Sequence, residues 1–146
     1  MLSFKQYISE NTKPVIGINI RNDNKVNRPY ADLVVDGEKK YETRDKPTLN
    51  HLIGQEVGVV KTGAKGKTKA KAIGSCILGE PEKVGYDEFR RRESEHLVPQ
   101  DSDYDCKKDG HKWMYPINKP QRWDKEQNVE MSGNIFVHRK IYHEED

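Results

Sequence analysis

Cysteine is nearly missing from this chain: Cys76 and Cys106 are the only two in 146 residues. They lie far apart and outside any Cys-x-x-Cys element, so neither a disulfide framework nor a cysteine-based zinc site is indicated, and a reducing cytoplasm is the expected setting. No apolar run approaches the roughly 20 residues that cross a bilayer. The first residues lack the continuous apolar core of a secretory signal, so a soluble chain with no membrane partner is expected. A dominant sign of charge is absent too: 26 Lys and Arg against 24 Asp and Glu leave a formal net charge of +2. An anionic partner would therefore have to meet a local patch and not a globally basic body. Apolar residues are scarce, 33% against 34% charged, which predicts a small core and long polar loops. His51, His96, His111, His138 and His143 lie scattered without metal-ligand spacing, and no Ser-His-Asp order stands out, so no metal site is read. Gly66-Lys67-Thr68 invites comparison with a nucleotide-binding P-loop, but that pattern needs a glycine five positions earlier, where Lys61 stands. No cofactor loop remains.

What is present centres on Pro29 to Arg44, with the sequence PYADLVVDGEKKYETR. Asn27 is a good N-cap and Pro29 suits a first helical position, where its missing N–H costs nothing. Tyr30, Leu33 and Val34 then fall at the i, i+3, i+4 spacing of one buried stripe, with Asp32, Asp36 and Glu38 outside it. Gly37 tolerates the left-handed conformation that ends a helix, so the chain can reverse and continue extended from Lys39. Alternation sends Tyr41 and Thr43 to one face and Lys40, Glu42 and Arg44 to the other, with Lys39 at the turn.

This unit resembles the ASCH family, a branch of the PUA-like β-barrels, whose signature is Gly-x-Lys-x-x-Glu-x-Arg after a short helix. Gly37, Lys39, Glu42 and Arg44 match it position by position. The strands near 54–60 and 73–79 and the late Trp113-Met114-Tyr115-Pro116-Ile117 segment follow in the family's order, so the resemblance covers about residues 15 to 140 by the strand spacing of one small barrel. It implies a mainly β fold with peripheral helices (α+β), a PUA-like ASCH barrel over residues 14–143. At this length one domain is the economical reading.

Residues 1–13 stand apart as a leader or N-terminal helix plus linker. Ser3 can cap, Gln6 closes the box, and Phe4, Tyr7 and Ile8 share a helical face. The same ten residues look like the capsid-targeting leader of T4-like phage internal head proteins, with Ile8-Ser9-Glu10 as the processing site. That resemblance implies a phage protein acting in the host cytoplasm or packaged in the virion.

Val15 to Ile20 reads as the first barrel strand. After Arg44, residues 45–54 form a connection with one short helical turn whose role is spacing. Two strands follow as a hairpin, joined by a connection with five lysines between positions 61 and 71 and no acid. Lys65, Lys67, Lys69 and Lys71 recur every second residue, so an extended ribbon would present them on one side. That side is either a phosphate-tracking edge or a lysine-protected strand edge. Residues 86–96 read as a helix packed through Tyr86 and Phe89, whose Arg90-Arg91-Arg92 run is a solvated face or a nucleic-acid contact. Residues 98–110 read as a long loop of the kind that covers sites. Tyr115 and Trp123, beside Arg122, are the aromatics that would let a base stack while a cation holds its phosphate. A closing strand is expected at 134–142.

The candidate site is the cleft beside residues 37–44. A lysine crowded by Arg44 and cut off from water would have its pKa lowered towards usefulness as a base, whereas a direct Glu42 partner would hold it charged. His96, ending the helix before the loop, is placed to meet the Lys39 and Glu42 turn. A Lys39–Glu42 or Glu42–Arg44 ion pair that simply pins the turn is the structural alternative. The leading expectation is binding of RNA, single-stranded nucleic acid or a modified nucleotide by a monomer with no cofactor. The alternative is a hydrolase of a modified pyrimidine nucleoside, since the resemblance extends to small PUA-like amidohydrolases of N4-acetylcytidine. Those use Lys-x-x-Thr-x-Arg with a threonine nucleophile, and this chain has Glu42 there. The leader resemblance adds a third class, a phage-delivered factor with a host protein partner.

Overall fold

The computed structural model describes residues 15–62, 70–131 and 138–141. The first strand, β1 (Val15–Arg21), runs parallel to β3 (Glu56–Thr62) on one side and antiparallel to β7 (His138–Ile141) on the other. β3 pairs antiparallel with β4 (Lys71–Leu78), and β4 with the long β6 (His111–Met131). The last residues of β6 return to β7, from Val129 opposite Ile141 to Met131 opposite Arg139. The order β1-β3-β4-β6-β7 therefore meets its own beginning, and closure leaves no open edge among these strands. This is the mainly β barrel with small peripheral helices that the family resemblance implies.

One strand does two jobs. From Ile117 to Asn128, β6 belongs to the barrel wall, whereas residues 111–116 pair with β2 (Tyr41–Arg44) and β5 (Glu82–Gly85) instead. Within the wall, the β4–β6 register shifts between Ala72 and Gly74 and between Ser75 and Ile77, irregularities of the kind that bend a strand. β5 has no counterpart in the sequence reading: Glu82-Lys83-Val84-Gly85 carries a single buried apolar residue, too little to show a period.

The helix α1 (Tyr30–Val35) lies on this sheet with Tyr30, Ala31, Val34 and Val35 buried, and Leu33 only partly so. It starts one step later than its capping signals suggest. Pro29 is the N-cap, and Asn27 instead adopts a positive φ of 53° in the tight turn closed by the Asp23–Arg28 bridge. Asparagine accepts that conformation more readily than most residues. Close packing of α1 on the barrel depends on Gly74: a Cβ there would sit 2.1 Å from the Gln121 carbonyl oxygen and 2.6 Å from Val35 Cγ1. No side chain fits that gap.

Two expectations need correction. The 45–54 connection does more than space its neighbours, because Leu49 and Leu52, around the 3₁₀ turn at Asn50–Leu52, are core residues. The expected helix over 86–96 is broken at Arg92 into α2 (Tyr86–Arg91) and α3 (Glu93–His96), and Leu97 closes it in the left-handed region at φ 64°. Two of the three arginines are drawn into ion pairs: Arg90 pairs with Glu93 and Asp105, and Arg92 with Glu82 and Glu95 while lying 4.7 Å over the Tyr41 ring. Only Arg91 of the three is exposed. The leader segment, Lys65, Lys67, Lys69 and the side chains of the closing strand lie outside the described residues.

Candidate functional site

The reversal after α1 builds the site. Gly37 takes φ +79°, its N–H donates to the Val34 carbonyl at 3.1 Å, and the N–H groups of Glu38 and Lys39 both donate to the Leu33 carbonyl at 2.9 Å. These bonds satisfy the open carbonyls of the last turn. They also place Lys39 inside the fold. The Lys40 N–H donates to the Glu95 carbonyl at 2.8 Å and the Lys40 carbonyl accepts from the Ile117 N–H at 2.9 Å, so α3 and β6 clamp the turn from two sides.

Lys39 is 2% exposed. Its Nζ donates to the backbone carbonyl of His96 and lies 4.8 Å from the centre of the Tyr30 ring. Burial pulls its pKa down to about 8, against the attraction of Glu42 and with help from Lys112 and Arg44. The ammonium is thus held by a carbonyl dipole and an aromatic face, both weaker counterparts than a carboxylate at contact. The ion pair formed by Glu42 is with Arg44, Oε2 to Nη2 at 3.4 Å, and Arg44 Nη2 also donates to the Asn19 carbonyl at 2.8 Å. The Glu42 Oε1 accepts the Thr43 N–H at 3.0 Å. Of the two pairings open in the sequence, the structure has Glu42–Arg44.

These three residues line a cleft of about 420 Å³, within the range of small-ligand sites. Two aromatic residues line it as well: Tyr30 and Tyr104 meet edge to face with centroids 6.1 Å apart. The Tyr30 side chain is buried and its hydroxyl finds no hydrogen-bond partner among the described residues. Burial pushes its pKa up, and Asp23 and Glu42 push it the same way. Lys112 completes the floor; it is buried, with Nζ 2.6 Å from Asp45. Arg21, Thr43, Thr62 and Val98 also line the cleft. Among the described residues no three His, Cys, Asp or Glu side chains gather as a metal site.

The structure separates the sequence candidates. Lys39, Glu42 and Arg44 converge on the cleft as expected. His96 does meet Lys39, but through its backbone carbonyl. Its ring is fully buried, stacked 3.9 Å from Phe89, with Nε2 2.6 Å from the Phe89 carbonyl and Nδ1 accepting the Val98 N–H at 2.9 Å. That acceptance fixes the neutral tautomer with the proton on Nε2, and burial drives the pKa down to about 4. His96 therefore meets Lys39 through its carbonyl, while burial favours the neutral ring. Tyr115 is a core residue, 0% exposed, its hydroxyl donating to Asn50 Oδ1 at 2.7 Å and accepting the Leu49 N–H at 3.3 Å. It offers no face to a base. Trp123 packs against Val60 and Ala72, and neither aromatic lines the cleft. Arg122 is held on α1 by Asp32 at 3.0 Å and Asp36 at 2.8 Å, so it pins helix to strand. Lys71 donates to Asn128.

Tyr104, Lys112 and Arg21 were missed by the sequence reading. Lys112 had a usable signal, since it stands two residues before the buried Met114 on an alternating strand and so shares its face. Tyr104 had none, being one residue in a polar loop. The 98–110 loop does contribute to the site as anticipated, giving Val98 and Tyr104 to its wall.

No family model and no curated protein matches the chain. Among solved structures it is similar to the ASCH protein of Zymomonas mobilis. It matches that crystal structure with a TM-score of 0.56 at 14% identity, over 79% of this chain and 70% of the other. A serine-to-alanine variant of that protein gives 0.58 at 16% identity over 77% and 72%. A tyrosine-to-phenylalanine variant gives 0.57 at 14% over 80% and 76%. At such identity the likeness is one of fold, and the fold is that of the PUA-like ASCH barrel.

Proposed function

We propose that this chain is an ASCH-type domain that binds a nucleotide, free or within RNA or another single-stranded nucleic acid, in the cleft over Lys39, Glu42 and Arg44. The observation that carries the reading is the convergence of those three signature residues on one concave site that Tyr30 and Tyr104 also line. Tyr104 offers a face for base stacking, the sequence-tolerant contact of single-strand binding. Glu42 offers a carboxylate held by Arg44, suited to accept from an exocyclic amino group of a base. The likeness in fold to an ASCH protein supports the family assignment. The sequence carries lysines at every second position from 65 to 71, a recurrence that favours a ligand with a phosphate backbone.

A second reading is favoured by one observation, the depressed pKa of Lys39. A lysine near 8 is partly neutral in mildly alkaline buffer and can take part in proton transfer. In a hydrolase of acylated pyrimidine nucleosides, Glu42 would draw a proton from water as it adds to the acyl carbonyl, and Lys39 or Arg44 would steady the oxyanion. The substitution Glu42→Gln separates the readings. A binding site should lose affinity by about 1 to 3 kcal/mol and have no turnover to lose. A hydrolase should keep affinity and lose turnover. Chromatography of N4-acetylcytidine and other acylated nucleosides with both proteins, together with calorimetry on nucleosides and oligonucleotides, reads both. Turnover by the wild type that vanishes in Glu42→Gln would overturn the binding reading.

A further inference from the structure

We propose that the cleft contains a phosphate subsite built on the Lys112 ammonium, with the Asp45 carboxylate as its exchangeable occupant, so that the ligand is taken as a nucleotide and not as a bare nucleoside. The inference rests on the reading of the cleft as a nucleotide site and names the part of the ligand that reading leaves open.

Four cations line the cleft, Arg21, Lys39, Arg44 and Lys112, against the two carboxylates of Glu42 and Asp45. The cleft is thus locally positive in a chain whose formal net charge is only +2, and a low-dielectric wall strengthens its pull on an anion. The inner cations differ in how they are held. Lys39 is tied to the His96 carbonyl, and Arg44 to the Asn19 carbonyl and Glu42. Both are anchored to the fold itself.

Lys112 is anchored differently. Its side chain is 5% exposed, yet the carboxylate that neutralises it belongs to Asp45, whose side chain is 81% exposed. A buried ammonium needs an anion against it, but a carboxylate that reaches in from solvent gains little from staying, because water solvates it when it leaves. The position over Lys112 is therefore always occupied by negative charge, and the occupant is free to change. A phosphate oxygen brings the same contact with more charge, and an ammonium has three donors to share. Asp45 directly follows Arg44 at the end of β2, so swinging it outward disturbs no strand pairing. With Asp45 displaced, Glu42 is the one carboxylate left among the described residues that line the cleft.

A purely structural Lys112–Asp45 pair makes the opposite forecast, in which loss of the Asp45 charge leaves ligand preference untouched. Calorimetry on the full chain, with the four ribonucleosides and their 5′-monophosphates as probes, decides. The monophosphates should bind about tenfold more tightly than the nucleosides, the worth of one charge-assisted contact. Asp45→Asn should widen that ratio severalfold by removing the competitor, and Lys112→Gln should erase it. Both substitutions disturb a pair with one buried member, so the comparison of nucleosides with monophosphates on the unaltered chain carries the test alone should either variant prove unstable. Trinucleotides with and without a 5′-phosphate show the source of the group: a dependence on the terminal phosphate marks a chain end, and tight binding without it marks an internal diester. Equal affinity for nucleosides and monophosphates, or an unchanged ratio in Asp45→Asn, overturns the subsite while leaving the cleft a nucleoside site. If no nucleoside, monophosphate or trinucleotide binds, the nucleotide reading of the cleft falls, and the subsite with it.

Discussion

Lys39 is buried at a cost, and replacing it should expose that cost. Moving its pKa from the ordinary 10.5 to about 8 corresponds to roughly 3 kcal/mol of penalty on the charged form, at about 1.4 kcal/mol per tenfold change in the proton equilibrium. Lys39→Met removes the charge and nearly keeps the volume. It also deprives the His96 carbonyl of its donor, which costs about 1 to 3 kcal/mol. At pH 7 the variant should therefore be between equally stable and about 2 kcal/mol more stable than the wild type, a gain of up to about 7 °C in Tm, while ligand binding is lost. The pH dependence is the sharper signature. A folded pKa below the unfolded one gives a contribution fully present above about 10.5 and lost as the pH falls through about 8. Raising the pH from 7 to 10.5 should accordingly stabilise the wild type by about 3 kcal/mol relative to Lys39→Met, since every other titrating group is common to both. Urea unfolding of both proteins at half-unit pH steps measures the difference. A difference that stays flat across that range would refute the reasoning, because Lys39 would then titrate as if in water. A loss of more than about 3 kcal/mol in Lys39→Met at pH 7 would refute it as well, by showing that the ammonium stabilises the fold.

The two tyrosine roles can be tested against each other. Tyr104→Ala should weaken nucleotide binding by about 1 to 3 kcal/mol, the worth of a stacked base, whereas Tyr115→Phe should leave binding unchanged and cost about 1 to 2 kcal/mol of stability through the lost bonds to Asn50 and Leu49. For His96, with its folded pKa near 4 and an ordinary value of 6.5, stability is full above about 6.5 and falls as the pH drops towards 4, by about 3 kcal/mol. His96→Gln should show a shallower acid limb in urea titrations between those pH values, and an unaltered limb would mean the ring is not buried neutral.

Much of this could be read from neighbouring residues alone. The turn at Gly37 was legible because the left-handed conformation it demands is a property of one residue, and the helix before it because its apolar residues repeat within a single turn. The barrel strands showed themselves by local β-branched runs, and the Lys39, Glu42 and Arg44 constellation by its spacing. All of these lie within sixteen consecutive residues or within one strand. What the sequence could not disclose depends on partners far along the chain. The fate of His96 was set by a ring stack with Phe89 and by a lysine 57 positions away. The fate of Tyr115 was set by Leu49 and Asn50 across the core, and that of Arg122 by two aspartates on α1, 86 and 90 positions away. Lys112 and Tyr104 entered the site only because β6 leaves the barrel wall to pair with β2 and β5, and because the 98–110 loop folds back over α1. Local conformational preference is written residue by residue, but which charge finds which counter-charge, and which aromatic keeps a free face, is decided by the packing that closes the barrel.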